Sequence, residues 1–138
     1  MSPELKVLEK LRSVLINDTT VKSYIKDRVY TAHISSIDRP EYPAISLHLM
    51  DSKAADNVPD MTGMMVQVDL WLPEKTYSVD DVLTLYARVR ALLHKQNLTD
   101  TSIGVTFGQI LESATGPVMF DETNGCRHLP ARYRITAI

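Results

Sequence analysis

Four histidines (His33, His48, His94 and His128) and a single cysteine, Cys126, have the widest chemical repertoire in this sequence. A structural zinc site takes Cys and His ligands at short, repeated spacings. No two of these histidines stand at such a spacing, and Cys126-Arg127-His128 has no further ligand beside it in the chain. They read as surface or sheet-face histidines. Cys126 and His128 also form the one suggestive thiol–imidazole pair. Nucleophilic catalysis needs such a base beside the thiol and a third group that orients the base. No strand-turn-helix elbow frames this pair, so a free thiol in a loop is the simpler reading. Asp80-Asp81 resembles a pair of acid–base groups, yet the helix dipole alone favours acids in a first helical turn. Gly104 and Gly108 lack the companions of a phosphate loop and suggest bulges or close approach within strands. The residues point to no cofactor and no metal.

The chain must therefore be read for shape. It has 138 residues, 15 Lys+Arg against 17 Asp+Glu, and a formal net charge of −2. That length suits one domain over 1–138, because two separate cores would each be too small. With 44% hydrophobic and 23% charged residues the chain is of ordinary globular composition, which excludes global disorder. One cysteine excludes an internal disulfide and fits a reducing cytoplasm. Near-neutral charge argues against a nucleic-acid binder working by phosphate neutralisation. No signal-peptide pattern and no membrane-spanning apolar run is visible.

The periodicity predicts an α+β domain: a mostly antiparallel sheet with two main helices packed on one face. A helix is expected from Pro3 to Ile16, capped by Ser2, with Leu5, Leu8, Leu11 and Leu15 as its apolar stripe. Asp18 or Thr19 opens a short turn through Ile25, and the stretch from Arg28 to Ala32 looks extended. Ala44 to Met50 alternates, with Ile45, Leu47 and Leu49 on one side and Ser46 and His48 on the other. Met64 to Leu72 is the clearest strand. Ser78 caps a second long helix whose buried stripe is Val82, Leu85, Val89 and Leu92. Two more strands are expected, at about Ile103 to Glu112 and Leu129 to Ile138.

Two long loops separate these elements. The segment from Asp51 to Thr62, containing Asp51, Asp56 and Asp60, has no period and reads as a mobile connection. Ala114 to His128 is the second, with a tight turn expected at Asn124-Gly125. Its Val118-Met119-Phe120 is either a plug into the chain's own core or a partner contact. On the clearest strand, Met65, Gln67, Asp69 and Trp71 share the side opposite Met64, Val66, Val68, Leu70 and Leu72. With helices on one face only, that side is expected to be semi-exposed. Trp71 then either contacts a partner, as exposed Trp and Met residues do at interfaces, or covers the sheet edge of a monomer.

The order of several short motifs resembles the tail terminator, or tail-completion, family of long-tailed bacteriophages. The motifs are Arg28-Val29-Tyr30 after the first helical region, Tyr42-Pro43 at the start of a strand, and Val66-Gln67-Val68-Asp69-Leu70-Trp71. They continue with Arg88-Val89-Arg90-Ala91-Leu92-Leu93 in a helix and Arg132-Tyr133-Arg134-Ile135-Thr136 in a closing strand. The resemblance spans about Leu5 to Ile138. It implies a non-enzymatic virion protein that forms a ring of copies of itself, in that family a hexamer, on the head-proximal end of the tail tube. The ring stops addition of tail tube protein and offers a docking surface to the head-tail connector or stopper protein. It implies a place at the neck junction of the virion, with assembly in host cytoplasm. The sheet side with Met65, Gln67, Asp69 and Trp71, together with Met119 and Phe120, would then serve subunit contact. The loop with Asp51, Asp56 and Asp60 would reach toward the tube. The alternatives are another neck, head-completion or minor tail protein, and a small enzyme using Cys126 and His128.

Overall fold

The computed structural model describes residues 2–54 and 61–138. Ser2 accepts a hydrogen bond from the Leu5 N–H and starts α1 (Pro3–Ile16), with Pro3 placed where a missing N–H costs nothing. Val7, Leu8, Leu11 and Leu15 are buried, whereas Leu5 is 52% exposed. The buried stripe therefore begins at Val7 instead of Leu5 and otherwise follows the expected row. Asp18 caps α2 (Thr19–Ile25) through the Val21 N–H at 3.0 Å. Ser78 and Asp81 form a reciprocal capping box at the start of α3 (Val79–Leu93).

The strands are β1 (Val29–Tyr30), β2 (Ala44–Ala54), β3 (Thr62–Pro73), β4 (Phe107–Thr115), β5 (Met119–Asp121) and β6 (Cys126–Ala137). They form one sheet in the order β1-β2-β3-β6-β4, with β5 also paired to β6. All pairings are antiparallel except β1 with β2. The α+β class and the helical face agree with the sequence reading. Ile45, Leu47, Val66, Val68, Leu70, Leu129, Ala131, Tyr133 and Ile135 pack against the buried residues of all three helices in one core. Glu112 of β4 ties this layer together, accepting from Tyr86 Oη of α3 at 2.7 Å and from Tyr133 Oη of β6 at 3.4 Å.

Three expectations about loops are corrected. β2 runs on through Asp51 to Ala54 and β3 begins at Thr62, so Asp51 lies in a strand. A bulge between Leu49 and Asp51 breaks the alternation there and hid the continuation. Asp56 and Asp60 lie outside the described residues. The fourth strand starts at Phe107, four residues after the expected Ile103, because Asp100 and Val105 close a turn by reciprocal backbone hydrogen bonds. The segment from Ala114 to His128 contains β5 and the start of β6, joined by a turn in which Gly125 has φ 65°. Gly108 stands at a bulge, where a Cβ would lie 2.6 Å from Thr136 Oγ1 of β6.

Parallel neighbours need a crossover. The connection from β1 to β2, residues 31–43, makes it on the sheet face opposite the helices, with only a short 3-10 turn at Ile34–Ser36. We call this segment the strap.

Candidate functional site

The strap decides what the second sheet face exposes. Ile34 packs with Trp71 and Cys126 in a small cluster of their own, flanked by Tyr30 and Tyr42. Trp71 is thereby only 4% exposed and Asp69 only 1%. The expectation of a semi-exposed Trp71 is overturned, and Asp69 on the same side is buried with it: a face without helices is here covered by a loop crossing between parallel strands. Met65 and Gln67, further along β3, are half-buried as expected.

Register then assembles a polar cluster from residues far apart in sequence. Gln67 and Asp69 of β3 stand between His48 of β2 and His128 and Arg132 of β6. Asp69 Oδ1 lies 2.7 Å from His128 Nε2 and accepts from Gln67 Nε2 at 2.8 Å. Asp69 Oδ2 and His48 Nδ1 face each other at 3.7 Å, and both are buried without a hydrogen-bond partner. Arg132 Nε donates to Gln67 Oε1 at 3.2 Å. The ring of His128 stacks on the indole of Trp71, whose Nε1–H donates to Ser46 Oγ at 2.9 Å. From the strap, His33 meets His48 edge to face, with centroids 5.0 Å apart. Burial of His48 lowers its pKa from 6.5, more than the nearby Asp69 carboxylate raises it.

This arrangement is a buried carboxylate paired with Gln67 and His128. Cys126 is fully buried, its Sγ contacts the Asn124 carbonyl at 3.5 Å, and burial pushes its thiol up to about 11. It is protonated at neutral pH and makes no hydrogen bond to His128, so the pairing that enzyme chemistry needs is missing. No group of three or more His, Cys, Asp and Glu side chains among the described residues is arranged to hold a metal ion. His33 is turned inward on its own strap, its Nδ1 accepting the Ser35 N–H at 3.1 Å. No helix among the described residues is long and apolar enough to cross a membrane.

Beside the cluster, Gln67, Thr115, Gly116, Met119, His128, Pro130 and Arg132 line an open cleft of about 340 Å³. Met119 and Phe120 stand out from the surface at 42% and 53% exposure, while Val118 just before them packs on the main core. The triplet is thus divided between plug and free surface. Asp51 is exposed beside Met65 on the part of the face that the strap leaves open. The sequence reading missed the convergence of His48 and His128 on Asp69, with His33 packed against His48. The signal was present in part, since alternation put His48 and Asp69 on the outward sides of two strands, but only the register makes them neighbours.

No family model matches the chain, and no curated protein matches it. Among solved structures, it is similar to a chain of the structure described as "Virion of native gene transfer agent (GTA) particle". The likeness covers 95% of this chain and 93% of that one, at a TM-score of 0.67 and 12% identity. It is a likeness of fold across the whole length.

Proposed function

We infer that this chain is a structural protein of a phage-like virion, and specifically a tail terminator. Copies of it form a ring on the head-proximal end of the tail tube, end tube growth and present a docking surface for the head connector. The observation that supports this reading best is the end-to-end fold likeness to a virion chain, which extends over the same stretch as the ordered motifs from Arg28-Val29-Tyr30 to the last strand.

A closed ring requires a heterologous contact between two different patches of each subunit. Met119 and Phe120 on β5 supply an exposed apolar patch that shares a cleft with Gln67, and Asp51 and Met65 lie further along the open part of the same face. Asp69 and Trp71 are removed from this set by their burial. The free edge of β4 is a poor candidate for strand addition. Its Ile110 carbonyl already accepts from the Lys95 N–H at 2.7 Å, and its Glu112 N–H donates to His94 Nδ1 at 3.0 Å. Such covering blunts a sheet edge.

The test is electron microscopy of particles assembled without the protein. Overlong or headless tails support the terminator role. Full-length tails with leaking heads assign it to head completion instead. Particles indistinguishable from normal ones overturn both. Phe120→Asp should lower ring content in complemented particles while leaving the unfolding midpoint unchanged.

A further inference from the structure

The cleft beside the polar cluster holds a cation that is positioned but not used. Arg132 on β6 lines it, and its Nε donates to Gln67 Oε1 at 3.2 Å. Gln67 Nε2 in turn donates to Asp69 Oδ1 at 2.8 Å, and Asp69 is buried. The buried carboxylate thus fixes the amide, and the amide fixes the plane of the guanidinium. Among the described residues, Arg132 has no ion-pair partner, so its two terminal NH2 groups are left for a ligand. Their fork suits a carboxylate. The next cation on this face, Arg134, shares a row with Met65 and the exposed Asp51, so an acid already stands across the sheet from it. Met119 and Pro130 give the cleft an apolar wall beside Arg132. The cleft therefore suits an acid carried between aliphatic groups.

Such a group stands in the other layer of the domain. On α3, Val79 and Leu83 are 41% and 45% exposed. Four residues apart, they lie one above the other on the helix surface, with Asp80 beside them. Val82, Leu85, Val89 and Leu93 turn into the core, so this strip faces outward. The capping box uses Asp81 and leaves the exposed Asp80 without an ion-pair partner among the described residues. The nearby cations of α3 are engaged elsewhere, Arg88 with Asp18 and Arg90 with Glu112. We propose that the strip Val79, Asp80 and Leu83 docks into the Arg132 cleft of a second copy of this chain. The Asp80 carboxylate meets the Arg132 guanidinium, and the two aliphatic side chains lie against Met119 and Pro130. The inference rests on the ring reading and names the second patch that a ring needs. The strip belongs to the helical layer and the cleft to the opposite sheet face. The contact is therefore heterologous and passes from copy to copy in one direction.

Cross-linking of the full chain tests the docking. Thr84 on α3 and Ala114, the cross-strand partner of Arg132, are exposed at the two patches. In Thr84→Cys with Ala114→Cys, a short bismaleimide should give a ladder of linked copies, in assembled particles or in purified protein at high concentration. Either cysteine alone should give none. Cys126 is buried with its thiol pushed up to about 11, so it adds little background. In the double-cysteine chain, Arg132→Glu or Asp80→Arg should each cut the ladder about tenfold, and both reversals together should restore it to within about twofold. Should Arg132→Glu fail to fold, loss of the ladder in Asp80→Arg decides alone. No ladder in either setting, a ladder indifferent to the reversals, or linked dimers from Thr84→Cys alone would each overturn the docking. Particles assembled without the protein report on the terminator reading separately. Normal particles together with a charge-dependent ladder remove that reading and keep the docking, whereas overlong tails without a ladder do the reverse.

Discussion

The imidazole of His128 stacks on the indole of Trp71, with centroids 3.9 Å apart and planes 2° from parallel. The two residues belong to antiparallel neighbours and are direct cross-strand partners. The stack joins the apolar half of the second sheet face, under the strap, to its polar half around Asp69.

Trp71 is consequently a folding residue. Trp71→Ala should cost about 3–5 kcal/mol, the range for deleting a buried aromatic side chain. Trp71→Phe should cost less, chiefly the lost Nε1–H bond to Ser46, at about 1–2 kcal/mol. Urea unfolding followed by circular dichroism gives both values. An alanine variant with an unshifted midpoint would show that the strap closes over an empty site without penalty.

Asp18 performs two tasks. It caps α2 through the Val21 N–H and accepts from Arg88 Nε of α3 at 3.1 Å. Asp18→Ala should lose about 1 kcal/mol for the cap. The Arg88 pair adds little, because the guanidinium is 43% exposed and screened by solvent. The Arg88 hydrogen bond, the largest cause, lowers the Asp18 pKa from 3.8. Its contribution is therefore present above the ordinary carboxylate range and fades as pH drops through the lowered value. A double-mutant cycle with Arg88→Ala should show coupling at pH 7 that shrinks as pH falls through the lowered Asp18 value.

Asp100 is expected to titrate at about 2. The Ser102 hydroxyl is the leading cause and Lys10 Nζ, at 2.9 Å, the next. Carbon-detected NMR of the carboxyl group reads this directly. Ser102→Ala should move the midpoint upward by more than Lys10→Met does. The reverse order would mean that the ion pair dominates.

Cys126 should react slowly with a disulfide reagent at pH 8, since its thiol is buried and shifted up to about 11. Adding denaturant past the unfolding midpoint should restore the rate of an open thiol. Fast reaction in the folded chain would revive the reading that pairs Cys126 with His128.

Much of the secondary structure was legible because its causes are local. Ser2, Asp18 and Ser78 declare helix starts by their side-chain oxygens, and α1 begins at Pro3 as its capping predicts. The alternation of β3 is unbroken, so its two faces could be assigned residue by residue, and the Asn124-Gly125 turn follows from one positive φ. The motif order pointed to a family of virion proteins, and the fold is similar to that of a chain from a gene transfer agent particle. What local pattern could not supply was the partner of each face. Burial of Trp71 and Asp69 depends on a crossover from β1 to β2 that passes over the side without helices, and no periodicity in 31–43 announces that path. The bulge at Met50 hid the second half of β2 for a related reason, since one extra residue shifts the alternation on which strand recognition rests. The meeting of His48 and His128 on one carboxylate, with His33 against His48, depends on strand register and on the strap. Both are set by the summed packing of the whole domain, and so only the tertiary structure decided them.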